Sequence, residues 1–124
     1  MNKKHITHGK LKVFMILFLA VILIVLVVVC AKKIKLSQNE KNIIGTWKNS
    51  NSENVITVQD SDTLILYNDI PEAGLYHGNA SYHFSYTDTI CVTQDDISAE
   101  FCVDVDENQL IIYFAGQVYI VLQK

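Results

Sequence analysis

The sequence predicts an all-β domain, a small up-and-down antiparallel barrel or half-barrel of about eight short strands, carried behind one N-terminal transmembrane helix. Three observations predict it. Val13 to Ala31 is a run of nineteen residues without a charge. From Ile43 onward, short β-branched and aromatic runs alternate with clusters of Asn, Asp, Ser and Gly. When the last strands are paired as hairpins, their apolar side chains fall on one face, and a one-residue slip would invert a whole strand.

The membrane segment comes first. VFMILFLAVILIVLVVVCA is apolar on every face, so a helix made of it belongs in lipid rather than in the core of so small a domain. At about 1.5 Å per residue it spans roughly 28 Å, close to the hydrocarbon thickness of a bilayer. It exceeds the usual h-region of a cleaved signal peptide, which favours an uncleaved signal anchor. Cys30 is preceded by Val29 rather than by the small residue of a lipoprotein site. The expected partition is a short basic cytoplasmic tail (1–12), the transmembrane helix (13–31), a juxtamembrane stalk (32–42) and an exported β domain (43–124). The bilayer is the first partner this implies. Four lysines precede the helix and three follow it, so the counts alone do not orient it. The short basic tail favours a cytoplasmic N-terminus, with the C-terminal domain extracytoplasmic at the cell membrane.

Charge separates the two parts. All thirteen acids lie from Glu40 onward, where Lys41, Lys48 and Lys124 are the only bases besides histidine, a net charge of −10. Such a domain repels phosphate backbones, so nucleic acid is not an expected partner.

Eight strands are expected at roughly 44–49, 54–59, 63–68, 80–87, 89–94, 99–105, 109–115 and 118–123. Val92 is paired with Phe101 and Ile90 with Val103, across a loop at 95–98. Val105 then faces Leu110, Val103 faces Ile112 and Phe101 faces Phe114. A three-residue loop at 115–117 sets Phe114 against Val118, Ile112 against Ile120 and Leu110 against Leu122. Trp47, Tyr82, Phe84 and Tyr86 complete an inward list large enough to predict an interior packed solid. The same register makes Cys91 and Cys102 neighbours on the polar face, and a disulfide is expected between them in an exported domain.

The opening Ile43-Ile44-Gly45-Thr46-Trp47-Lys48 resembles the G-x-W signature of the lipocalins, and most of all the short bacterial lipocalin-like domains of unknown function that follow a signal or anchor segment. The resemblance implies that Gly45 and Trp47 are structural signature residues, with the tryptophan plugging the base of a barrel. The chain departs from that pattern in its shortness and in having no arginine to lie over the tryptophan.

Chemistry-bearing motifs are few. Asp104-Val105-Asp106-Glu107-Asn108 echoes a calcium loop but continues with Gln109 and Ala115 where glycine and glutamate belong, so a hairpin turn is the expected reading. Asp60-Ser61-Asp62 and Asp95-Asp96 read as turns for the same reason. His5 and His8 lack a carboxylate partner, and His77 and His83 are expected to be solvated. No nucleophile elbow, phosphate loop or zinc motif occurs. The sequence therefore predicts no enzyme, no catalytic residues, no metal and no cofactor. It predicts a membrane-anchored binding or interaction module whose partner is an unknown protein or small ligand. A lipocalin-type carrier and an enzyme with dispersed residues are the alternatives. The binding residues are expected in the long loop 69–79, at Leu75, Tyr76 and His77, with Leu75 and Tyr76 as exposed apolar surface.

Overall fold

The computed structural model describes residues 3–124, with side chains from Gly9 onward; the side chains of His5 and His8 lie outside the described residues. The chain divides into two compact units, up to Ile34 and from Lys35. A single helix, α1, runs Lys3–Asn42. The expected stalk is thus helical too. No proline or glycine interrupts the sequence between Gly9 and Gly45, and Lys, Leu, Gln and Glu are good helix formers. From Gly9 to Asn42 the helix is long and apolar enough to cross a membrane. Its apolar side chains from Val13 to Val29 are exposed all round, as a lipid-facing helix requires.

The second unit is a closed barrel of eight antiparallel strands in sequence order. They are β1 (Gly45–Lys48), β2 (Asn54–Val58), β3 (Thr63–Leu66), β4 (Gly78–Tyr86), β5 (Thr89–Gln94), β6 (Ile97–Val105), β7 (Gln109–Phe114) and β8 (Gln117–Gln123). Every strand pairs with its sequence neighbour, and β8 returns to β1 through one pair, Lys48 with Gln123. Both the strand count and the up-and-down order match the sequence reading.

Two registers and a bulge differ from expectation in ways that matter. The β5–β6 hairpin turns on two residues, Asp95 and Asp96, with Asp95 at φ 53°. The pairs are therefore Ile90–Phe101 and Val92–Ala99, a slide of two residues. An even slide keeps each side chain on its face, so the core is unchanged. The neighbours are not: Cys91 faces Glu100 and Cys102 faces Thr89. Both cysteines are free, and the expected Cys91–Cys102 disulfide is not formed. At the β7–β8 hairpin, Ala115 (φ 52°) and Gly116 (φ 78°) form a two-residue turn whose positive φ values suit the strand twist. A bulge then restores the register, pairing Tyr113 with Val118 but Ile112 with Ile120. In β4 a second bulge lies between Phe84 and Tyr86. Val118 and Tyr86, both expected inside, consequently point outward and are 58% and 70% exposed.

One end of the barrel is shut by Trp47, which is completely buried. Its indole Nε1 donates to the carbonyl of Ile43 at 2.7 Å. Ile43, just past the end of α1, is itself buried. The place over the tryptophan, for which the chain has no arginine, is taken by Lys124: its Nζ lies 5.0 Å from the ring centroid and donates to the Asn42 carbonyl at 3.0 Å. This explains Gly45. Its φ of 136° disfavours any side chain, and a Cβ there would stand 2.7 Å from Lys124 Cε. Asn39 fastens the same end, donating from Nδ2 to the Thr87 carbonyl at 2.8 Å.

Gly45→Ala is expected to cost about 1–3 kcal/mol through backbone strain plus the clash with Lys124. Lys124→Ala alone should cost no more than about 1 kcal/mol. In the double variant the clash disappears, so the two effects should sum to more than the double variant loses. Denaturation of the four proteins in one detergent checks this; strict additivity would mean that Lys124 does not pack over Gly45.

Candidate functional site: the open end of the barrel

The barrel interior is not packed solid. A cavity of about 130 Å³ lies inside it, lined by branched aliphatic side chains such as Val58, Leu64, Leu66, Val92, Leu110 and Ile112. The expected filling fails for a local reason. Tyr86 and Val118 were counted as inward, and the bulges turn both out. Ala80 and Ala99 hold two further inward positions with the smallest of side chains. The large aromatic Trp47 sits at the shut end.

The opposite end carries the turn after β1, the long loop between β3 and β4, and the turns at 95–96 and 115–116. It is less completely closed. β1 is four residues long and meets β8 only at Lys48–Gln123, so Gln117–Val121 has no strand on its β1 side. The cavity lining there becomes polar: Asn68, Asp69 and Tyr119 border it, and all three are exposed. They mark where the interior meets solvent.

The long loop is a compact structure. Ile70 and Leu75 pair as an isolated bridge, with Ile70 N–H donating to Leu75 O at 2.8 Å and Leu75 N–H to Ile70 O at 3.1 Å. Between them Pro71–Ala73 form one 3-10 turn, ended by Gly74 at φ 74°. Proline fits the start of this turn because its φ is already helical and its missing N–H is not needed there. Leu75 is 0% exposed. This corrects the expectation that it offers apolar surface for recognition: it anchors the loop in the core. Tyr76 is exposed as expected, and its backbone is clamped by Gln94, whose Oε1 accepts from Tyr76 N–H at 2.8 Å while Nε2 donates to Tyr76 O at 2.7 Å. His77 is also exposed. Asp69 Oδ1 accepts from its backbone N–H at 2.9 Å and lies 2.7 Å from its Nδ1. The bond from the His77 N–H, and then the one from its ring, holds the Asp69 carboxyl below its ordinary range. Across the rim, partial burial and then the nearby charge of Glu72 raise the Tyr119 hydroxyl.

Of the three expected binding residues, the structure thus brings Tyr76 and His77 to the rim and places Leu75 beneath it. Asn68, Asp69, Ile70, Tyr119 and Gln94 were missed. The spacing of Asp69 and His77 across a turn-rich loop was visible; the β8 bulge that brings Tyr119 to the rim was not.

Elsewhere the acidic turns are turns. Asp106 Oδ1 accepts from the N–H groups of Asn108 and Gln109, and Asp60 Oδ1 from those of Asp62 and Thr63 and from the Thr63 hydroxyl. These bonds, that of the Thr63 hydroxyl first, pull the Asp60 carboxyl down to about 2. At the same place burial, then the charge of Asp60, pushes Tyr82 up to about 12, its hydroxyl donating to the Asp60 carbonyl at 2.7 Å. Among the described residues no three His, Cys, Asp or Glu side chains are grouped to hold a metal ion.

No protein-family model, curated protein or solved structure matches the chain.

Leu75→Ala is expected to destabilise the domain by about 2–5 kcal/mol, the cost of emptying a filled core position. Tyr76→Ala, a surface change, should stay within about 0.5 kcal/mol. Equal unfolding midpoints for the two variants would contradict the placement of Leu75.

Proposed function

We propose that the chain is a binding module without a catalytic centre, of lipocalin type, held at the outer face of the cell membrane by its N-terminal helix, and that its barrel interior receives a small apolar ligand. The observation that carries this reading is the apolar cavity with one polar rim. Sites for small ligands are concave, largely apolar and already formed, with a few polar groups to orient the guest. At about 130 Å³ the cavity is below the usual range for drug-sized ligands. It is close to that of an engineered apolar cavity of about 150 Å³ that admits benzene. The ligand, or the part of it that enters, is therefore a fragment of about six heavy atoms. The Gly45–Trp47 seating supports the lipocalin likeness. Export is supported by the short basic tail before the helix.

One observation favours a second reading. Asp69 and His77 form a hydrogen-bonded acid–base pair beside a cavity, which a hydrolytic enzyme could use. The described side-chain hydrogen bonds of His77 end at Asp69, with no hydroxyl or thiol against the ring, and both groups are well exposed. We therefore assign the pair to holding the loop closed.

The test is methyl NMR of the full-length protein in zwitterionic nanodiscs, titrated with benzene. Saturable shifts confined to methyls around the cavity, such as Leu66, Ile70 and Ile120, are expected. Val58→Ile combined with Val92→Leu should fill the space and abolish them, while His77→Gln leaves them in place. Absence of any saturable shift at these methyls in the unmodified protein would refute the carrier site.

A further inference from the structure

We infer that the ligand of this cavity is a cation: a small ammonium compound whose short apolar group enters the barrel while its charged head stays at the rim. The inference rests on the cavity being a ligand site, and adds the chemistry of what fits it.

The polar part of the lining is one-sided in character. Asn68, Asp69 and Tyr119 are the polar residues that interrupt the apolar wall, and no lysine is among the lining residues. Asp69 is the only formal charge there. Its Oδ1 is occupied by two bonds from His77, whereas its Oδ2 has no hydrogen-bond partner among the described residues. An ionised carboxylate has about four acceptor sites, so this half-exposed one retains capacity for a donor at the rim. The bonds from His77, its backbone N–H first, also hold the Asp69 carboxyl below its ordinary range.

The surroundings add to this. The loops at the open end carry Glu53, Asp69, Glu72, Asp95 and Asp96, against Lys48 as the only lysine on that end. His77, which can become cationic, is already committed to Asp69. Clefts bordered by one sign of charge and backed by low-dielectric walls concentrate ions of the other sign. A carboxylate or phosphate head would instead be set against Asp69 and Glu72 with no base among the lining residues to receive it. A neutral apolar guest would fill the interior and leave the Asp69 carboxylate to water. The size of the cavity limits the tail to a few carbons. A lipid with two chains does not fit, so a free amine is the ligand class.

Three probes with the same four-carbon tail separate the head group from the tail: n-butylammonium, 1-butanol and pentanoate. They are titrated into the full-length protein in zwitterionic nanodiscs, with cavity methyl shifts as the readout. Butylammonium is expected to bind about fivefold or more tightly than butanol, the scale of one ion pair at about 4 Å in a watery setting. Pentanoate should be the weakest. High salt should shrink the preference. Asp69→Asn should bring butylammonium down to the butanol level without changing butanol. Asparagine retains an oxygen that accepts from the His77 N–H, and Glu72→Gln provides a second variant, with a smaller loss of the same sign. Equal binding of butanol and butylammonium, or tighter binding of pentanoate, would overturn the cation while leaving the cavity as a site. No saturable shift with any of the three would overturn both.

Discussion

A four-residue first strand that touches the last strand at one pair cannot close an eight-stranded barrel by its own ladder. What holds β1 in place is the seating of Trp47. Its ring fills the base of the interior, its N–H is fixed to the Ile43 carbonyl, and Lys124 covers it from the far end of the chain. Strands 1 and 8 are thereby joined through a side chain, and the Lys124 bond to the Asn42 carbonyl adds the end of α1 to the same point. Glycine serves at position 45 because its φ of 136° strains any other residue, and the space it leaves is taken by the flexible end of Lys124. The G-x-W motif is in this sense a backbone requirement that also leaves room for the lysine lying over the tryptophan.

That economy at one end sets the character of the other. With Trp47 at the base, the middle of the barrel is walled mostly by branched aliphatics, with Phe101 beside them, and a space is left between them. The short β1 leaves the β1-facing edge of β8 without a partner over most of its length, and the β3–β4 loop lies at this end. Leu75 pins that loop to the core and Gln94 and Asp69 clamp its backbone, so the rim is preorganised. On the proposed reading, this small apolar interior with its acidic rim would select a guest by size and charge.

Much of this was legible beforehand because strand periodicity is strict. Charge-free length identified the helix, and alternation of apolar and polar residues identified eight strands and most of the core. Where the sequence reading failed, the cause was local backbone geometry. Two-residue turns at 95–96 and 115–116 cannot be told from longer loops by composition when Asp and Ala, rather than Asn-Gly, hold the positive φ. The first error slid the register by two, which spared the core and removed the cysteine pair. The second was offset by a bulge, which turned Val118 outward. A similar bulge at Tyr86 completed the overestimate of interior volume. Leu75 was misjudged because loop residues are ordinarily exposed, and nothing in Pro71–Leu75 declares a bridge that folds the leucine inward. The candidate site depends on these irregularities, so it was the least legible part.

The central claim is that the barrel is plugged at Trp47 and hollow above it. A crystal structure of the protein under xenon tests this directly, since apolar cavities of about this size take up the gas. The account predicts a single strong xenon peak inside the barrel, in contact with Leu66, Leu110 and Ile112 and on the far side of Leu122 from solvent at the base. An interior without xenon, filled instead by the side chains of Tyr86 or Val118 turned inward, would contradict it.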